Sequence, residues 1–462
     1  MTMEAPHPVT ALEGLKAELG DAVRTDEAAL NEARADKSGH VAAAFPLAVV
    51  EARSVADVQA TLRFASAHGI PVVPRGAGTG LAGGAIGGAG EIVLSTRSMN
   101  RILEVSVDDE LAVVEPGVIN ADLNAALFDR GLWWAPDPAS RAISTVGGNI
   151  ATNAGGLLCV KYGVTREAVL GLKVVLADGR LLQLGHRTVK GVTGYDLTAL
   201  MIGSEGTLGV IVEATLRLRP LPQGAPVTIK AEFATVEQAA RASSVVSAGG
   251  TTPAIMELLD AAAVRHIGAY LDVELGQGAV LLAQTDGVAA AAEAEAIAAV
   301  MRSLGGTVEL TEDAEESARL FAIRRAFHPS LEALGTVLIE DVAVPRSALP
   351  AMFASIERIA AKYGIEIPTV AHAGDGNLHP NFVFTAPAVD GHVEVPDEVW
   401  AAADEMFLDC LRLGGTLTGE HGVGILKKRW LRDELGDDSF ALQQQIKQVF
   451  DPANLLNPGK VF

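Results

Sequence analysis

The sequence predicts an α+β fold in two domains, and three observations predict it. From Ala43 the chain alternates strand-like and helix-like stretches separated by glycine-heavy loops. Near Pro220–Pro226 (RPLPQGAP) a proline- and glycine-rich stretch reads as a linker. Beyond it, helix-period segments alternate with short strand runs, the pattern of an antiparallel sheet with helices on one face. A length of 462 residues suits two or three domains of ordinary size.

Each element has a local reason. Residues 1 to about 40 alternate charged positions with Ala and Leu and read as one or two surface helices. FPLAVVEA reads as a strand, and a helix follows from Ser54, with Asp57 where a capping box usually carries Glu. Ile70–Val73, Glu91–Ser95, Leu111–Glu115, Lys173–Leu176 and Val210–Leu218 are apolar, β-branched runs bounded by turn residues, hence strands. After the linker, Val236–Ser247 and Val288–Leu304 have helical periodicity, while Ala279–Gln284 and Thr307–Leu310 read as strands. A helix over Val399–Leu413, a glycine loop and a further helix lead to the ending FDPANLLNPGKVF. No repeat of 20–50 residues is visible.

Composition narrows the function. The net charge of −21, with no basic stripe, speaks against nucleic-acid binding, and an anionic substrate needs a local positive cluster. Two distant cysteines, Cys159 and Cys410, with no CxxC, cannot alone hold an iron–sulfur cluster and read as reduced thiols. The start MTMEAPHPVTALEGL lacks the features of a signal peptide, and no apolar run reaches the roughly 18 residues of a membrane span. The expectation is a cytoplasmic protein without a membrane span.

The run IPVVPRGAGTGLAG contains Gly78, Gly80 and Gly83 in GxGxxG spacing after a strand. A dinucleotide-binding Rossmann unit needs a helix directly afterwards to receive the pyrophosphate. Here GAIGGAG leads into the strand EIVLS, so that reading fails. What remains is a loop with Arg75 and Thr79 whose backbone N–H groups can form an anion nest. Ser144–Gly156 (STVGGNIATNAGG) is a second cluster, too rich in glycine for a stable helix, and Gly203–Gly209 is a third. Together they suggest a backbone-lined groove for an extended, phosphate-bearing cofactor.

IPTVAHAGDGNLHPNFVF places GDGN, a strong turn signal, between two strand-like segments. A hairpin of that shape brings His372 and His379 together, with Asp375 and Asn377 between them. Paired imidazoles suit zinc, manganese or iron, and a carboxylate would complete three ligands. Glu420, beside His421 in the loop GGTLTGEHGVG, is the carboxylate candidate.

PRGAGTGL, PDPASRAISTVGGNIATNAGG, KYG, VKGVTGYDL, GSEGTLGVI, HxGDGNxH and GEHG, in this order, resemble the vanillyl-alcohol-oxidase-type flavoproteins. More narrowly, they resemble the branch of the glycolate oxidase catalytic subunit, D-lactate dehydrogenase and D-2-hydroxyglutarate dehydrogenase. The likeness runs from about Ala42 to Phe462. It implies an N-terminal helical segment (1–41), an FAD-binding domain (42–221), a substrate or cap domain with a metal site (222–410), and a C-terminal segment (411–462) returning to the FAD domain. It implies FAD held without a covalent bond. Pro74, Arg75, Gly76, Gly78, Thr79, Gly80 and Leu81 would lie at its pyrophosphate. Thr145, Gly147, Gly148, Asn149, Thr152, Gly155 and Gly156 would line pyrophosphate and isoalloxazine, with Gly206 to Ile211 near the adenine. Asn457 and Lys460 of the tail would touch the cofactor.

The same resemblance implies His372, His379 and Glu420 as ligands of a divalent metal, His421 as general base, and Arg324 and Asn377 at the substrate. The implied reaction takes a D-2-hydroxy acid to the 2-oxo acid by hydride transfer to flavin N5. Relatives handling 2-hydroxyglutarate resemble one another in a further basic residue near the position of Glu340; here Glu340 and Asp341 are acidic and would repel a second carboxylate. D-lactate or glycolate is therefore expected as substrate. Open alternatives are D-2-hydroxyglutarate oxidation, an oxygen-using oxidase, and a non-catalytic flavin-binding subunit. The electron acceptor is open among an iron–sulfur subunit, an electron-transfer flavoprotein, a cytochrome and a quinone-linked carrier. A homodimer is the habit of the class.

Overall fold

The computed structural model describes residues 8–386, 388–389 and 392–462, and within it the chain divides into two compact units. One holds the chain up to Gly156, Gly163–Leu221 and Glu420–Phe462; the other holds Leu157–Tyr162 and Pro222–Gly419. Residues 1–7, where the N-terminal reading begins, lie outside the described residues.

The first unit carries two main sheets, besides the two-stranded pair of Leu132–Trp133 with Arg219–Pro220. In the smaller, the strands run in the order Val23–Arg24, Ala48–Glu51, Ile92–Ser95, Val72–Arg75, with the last three parallel. Their near-continuous apolar runs reflect burial on both faces. The helix Val55–His68 packs behind them and begins at the expected box: Ser54 accepts from the Asp57 amide, and Asp57 accepts from the Arg53 amide. It stops at Gly69, whose φ of 62° suits glycine. Helix Pro8–Leu19 does more than lie on the surface, because Leu12 and Leu15 enter the same core as Val58 and Leu62.

The larger sheet is antiparallel, in the order Ile102–Ser106, Leu111–Val114, Val210–Arg217, Val169–Val175, Leu181–Gly185. The two edge strands escaped the sequence reading; each is five residues long, and a polar residue, Glu104 in one and Gln183 in the other, interrupts its apolar run. Against expectation, Val146–Thr152 is helical despite Gly147 and Gly148. Each glycine costs about 1 kcal/mol of helix propensity. Burial of Val146 and Ile150 and the Thr145 cap outweigh that cost. The tail extends the smaller sheet: the Val72 amide donates to Leu455 O and the Asn457 amide to Val72 O.

The second unit is built on an eight-stranded antiparallel sheet. Its main path runs Thr307–Thr311, Val227–Phe233, Ala279–Thr285, Ile255–Leu259, Thr369–His372, Asn377–Phe384, Thr336–Ile339. Helices cover both faces rather than one. Val280 and Leu282 pack with Ala263, Ile267, Phe327 and Leu331 of one helical layer. The alternate residues Ala279, Leu281 and Ala283 are buried as well, and helices Val236–Ala248 and Ala290–Ser303 pack on that strand. The all-apolar strand Ala279–Ala283 carries this two-sided burial in its composition.

Candidate active site

In the first unit the strand Val72–Arg75 opens directly into the first glycine loop. Arg75 is buried and anchors the loop from inside, donating to Ala85 O (2.8 Å) and Glu32 O (3.2 Å). Gly78, at φ +70°, lies against that guanidinium, where a Cβ has no room. Gly76 faces the second cluster: a Cβ there would stand 2.5 Å from Thr145 Oγ1. Gly206, at φ +72°, packs on Pro74 and brings in the third. Three glycine segments thus pack closely against one another, in contacts that larger residues would disturb. An extended phosphate-bearing group such as FAD fits such a surface.

The polar side chains of the second cluster serve the loop itself. Thr145 Oγ1 caps the Gly148 amide, Thr152 donates to Gly148 O, and Asn149 is held between Ser144 and Asn120. Gly147 abuts Pro116 and Gly156 abuts Asp137. Gly80 O accepts from the Lys37 amide, while Thr79 and Leu81 are half-buried. Ile211 is part of the apolar core of the five-stranded sheet. Asn457 donates to Gly84 O and Glu205 O, tying the tail to two glycine loops; burial holds the Lys460 ammonium below its ordinary pKa.

The loop of Glu420 and His421 seats on these glycine segments within the same unit. The Ile425 amide donates to Ala82 O (2.9 Å), and a Cβ on Gly155 would lie 2.6 Å from Glu420 Oε2. Glu205 clamps the loop, accepting from the Val423 and Gly424 amides at 2.7 and 2.8 Å. Burial pushes its carboxyl up to about 7, against the two N–H bonds and the Lys427 charge. A folded pKa above the unfolded value means that this contribution to stability is present below about pH 4.5 and is lost as the pH rises to about 7. Compared with Glu205→Gln, the wild-type protein is therefore expected to lose up to a few kcal/mol across that window and nothing further above it. Melting curves of both proteins from pH 4.5 to 8 check this; a constant difference would contradict it.

In the second unit, the GDGN turn closes the strands Thr369–His372 and Asn377–Phe384, with His372 paired to Asn377 and Val370 to His379. The two histidines are therefore diagonal neighbours on one face. Their rings meet edge to face with centroids 5.0 Å apart, and a nitrogen of each lies within 4.8 Å of one of the other's. Each Nδ1 faces a buried carboxylate: Glu257 Oε1 at 2.6 Å from His372 and Asp341 Oδ1 at 3.8 Å from His379. A proton on Nδ1 of His372 would be accepted by Glu257 and would leave Nε2 to offer the lone pair. Paired imidazoles with carboxylates behind them are a donor set suited to a divalent metal.

Arg324 ends the helix Ala314–Arg325 and gives its Nε–H to Glu257 Oε2 at 2.8 Å. Asn377 donates to both Asp341 (2.6 Å) and Val342 O (2.9 Å). That leaves it only a carbonyl oxygen for a substrate. Asp341 also accepts from Thr418 (2.6 Å), so it belongs to the scaffold of the hairpin, and its neighbour Glu340 is buried. Gly419 packs against Asn377, and the next residue in the chain is Glu420.

Glu257, fully buried, was missed from sequence, as was the bracing role of Asp341. A signal for Glu257 existed: a lone acid within the apolar run AIMELL has to be paired to be buried. The segment Leu157–Tyr162 was also missed. It belongs to the second unit, where Lys161 and Tyr162 both bond Asp286 at 2.5 Å and a Cβ on Gly374 would strike Val160.

Residues 46–185 match the family model "FAD binding domain", and residues 224–461 match "FAD linked oxidases, C-terminal domain". Over 425 residues the chain is 41% identical to the glycolate oxidase subunit GlcD of Bacillus subtilis, covering 90% of this chain and 89% of that one. It is 38% identical over 420 residues to a D-lactate dehydrogenase of Archaeoglobus fulgidus, covering 89% and 90%. In fold it is similar to 4-ethylphenol oxidase from Gulosibacter chungangensis, with a TM-score of 0.78 and 19% identity over 100% of this chain and 98% of that one. A p-cresol methylhydroxylase structure matches with a TM-score of 0.78 and 18% identity, covering 98% and 96%.

Proposed function

Since the chain belongs to the FAD-linked oxidase family, we propose that it oxidises D-lactate or glycolate to the corresponding 2-oxo acid in an FAD- and metal-dependent reaction. The observation that carries this reading is the buried pair His372–His379, backed by Glu257 and Asp341, with Arg324 tied to the same Glu257. A 2-hydroxy acid offers a carboxylate and an adjacent alcohol, the two groups that an arginine and a metal centre recognise.

Bound FAD, held without a covalent bond on the glycine loops, supplies a hydride acceptor at N5. His372 and His379, with Glu420 as the carboxylate that the resemblance implies, would hold a divalent ion (zinc, manganese or iron), which would supply Lewis acidity at the substrate hydroxyl. Arg324 binds the substrate carboxylate through its terminal nitrogens, since its Nε is committed to Glu257. His421 takes the hydroxyl proton, a task suited to an imidazole near neutral pH. The glycine loop reaches the strand Ile92–Ser95 without an intervening helix, so this loop is not a Rossmann nicotinamide site, and the acceptor proposed for the electrons is a non-nicotinamide one.

The reading is tested by supplying the purified holoenzyme with an artificial redox dye. Glyoxylate from glycolate or pyruvate from D-lactate should form in a one-to-one ratio with a two-electron dye reduced. Dye reduction without a 2-oxo acid, or no turnover of either acid, would refute it. A second prediction follows from the steric contact at Gly155. Gly155→Ala is expected to fold, because its φ lies outside the left-handed region, while its Cβ displaces the Glu420 carboxylate; FAD content is measured beside it, and metal and rate are compared per bound FAD. Metal retained after dialysis and kcat should both fall about 10–100-fold, the usual cost of disturbing a ligand's surroundings. Wild-type metal content and rate in this variant would argue against Glu420 as a ligand.

A further inference from the structure

Glu257 lies in the middle of the strand Ile255–Leu259 with no exposed surface, and its two oxygens serve two different groups. Oε1 stands 2.6 Å from Nδ1 of His372, and Oε2 stands 2.8 Å from Nε of Arg324. The strand pairing that sets Glu257 opposite His372 fixes the first contact, and the end of the helix Ala314–Arg325 delivers the second. We infer that Glu257 is a positioning residue that sets metal binding and substrate binding together, an inference that rests on the function proposed above.

The physical reason is the donor inventory. Accepting from His372 fixes the Nδ1–H tautomer, which directs the Nε2 lone pair outward as the coordinating atom. Accepting from Arg324 Nε–H uses one edge of the guanidinium and leaves the edge bearing both terminal nitrogens, the one that grips a carboxylate bidentately. Only a carboxylate offers acceptors to both. Glutamine has the same shape but one acceptor, so its NH2 group must oppose either the histidine or the arginine. If it opposes the histidine, the tautomer flips and the coordinating nitrogen gains a proton; if it opposes the arginine, the guanidinium turns from its place.

The test uses FAD-loaded full-length enzyme as wild type and Glu257→Gln, with FAD content and melting temperature recorded for each. Affinity for Zn2+ and for Mn2+ is measured by competition with a chelator, and KM for D-lactate and glycolate at saturating metal. Glu257→Gln is expected to retain FAD, to bind metal about 10–100-fold more weakly, and to show a raised KM once metal is restored. Glu257→Asp, which keeps two acceptor oxygens, should recover part of both losses. A Gln variant that melts lower yet binds metal and substrate like wild type would reduce Glu257 to a structural residue and overturn the inference while leaving the proposed function standing. A wild-type enzyme that binds none of Zn2+, Mn2+ and Fe2+ in the same competition would overturn both. If Glu257→Gln does not fold, the tautomer can be read in the wild-type enzyme by 15N-histidine NMR, assigned with His372→Gln. A proton on Nδ1 of His372 supports the inference, and a proton on Nε2 alone defeats it.

Discussion

Replacing Arg324 with alanine is expected to lower kcat/KM for D-lactate or glycolate by about 10²–10³ and to destabilise the second unit as well. Two losses combine. The substrate carboxylate loses a charge-assisted, two-toothed partner; truncating one member of a hydrogen-bonded charge pair commonly costs about 2–5 kcal/mol. Glu257, which has no exposed surface, also loses the cation that takes its Oε2, and an uncompensated buried charge costs about 3–5 kcal/mol. Arg324→Lys separates the two effects. A lysine restores charge near Glu257 but cannot serve Glu257 and a carboxylate through a planar fork. The melting temperature should therefore recover more than kcat/KM does. Steady-state kinetics and thermal melts on the three proteins check this, and equal recovery of both would show that Arg324 acts through stability alone.

Replacing His421 with alanine is expected to lower kcat by about 10²–10⁴, the contribution usual for a general base, with FAD content unchanged. The loop that carries His421 is fixed independently of its imidazole, by Glu205 on the Val423 and Gly424 amides and by Ala82 on Ile425. The variant should therefore fold and still bind substrate, with KM changed far less than kcat. Added imidazole or a raised pH should return part of the rate, since either supplies a proton acceptor. A His421→Ala enzyme within tenfold of the wild-type kcat would remove His421 from proton transfer.

Signals that depend on near neighbours in the chain were legible in the sequence. Ser54 and Asp57 announced a helix start, and GDGN announced the hairpin that pairs His372 with His379, because both are decided within four or five residues. The failed Rossmann reading was equally local: the seven residues after Gly83 cannot form a crossover helix. Val146–Thr152 shows where local reasoning stops, because burial of Val146 and Ile150 overrides the propensity of two glycines. Glu257 and Asp341 were beyond reach for another reason. Their partners lie 115 residues away at His372 and 77 residues away at Thr418, and only the tertiary fold brings them together. The strap Leu157–Tyr162 is of the same kind, since its anchor, Asp286, is 124 residues from Tyr162.

The central claim, that bound flavin takes its electrons from a small D-2-hydroxy acid, is tested most directly by anaerobic reduction. The purified yellow enzyme is mixed separately with D-lactate, L-lactate, glycolate and D-2-hydroxyglutarate while the flavin absorbance band is followed. The account predicts rapid bleaching by D-lactate or glycolate, little by L-lactate or D-2-hydroxyglutarate, and loss of the fast phase in Arg324→Ala and His421→Ala. Bleaching by D-2-hydroxyglutarate alone would contradict the selectivity drawn from Glu340, and an enzyme that no hydroxy acid bleaches would contradict the function itself.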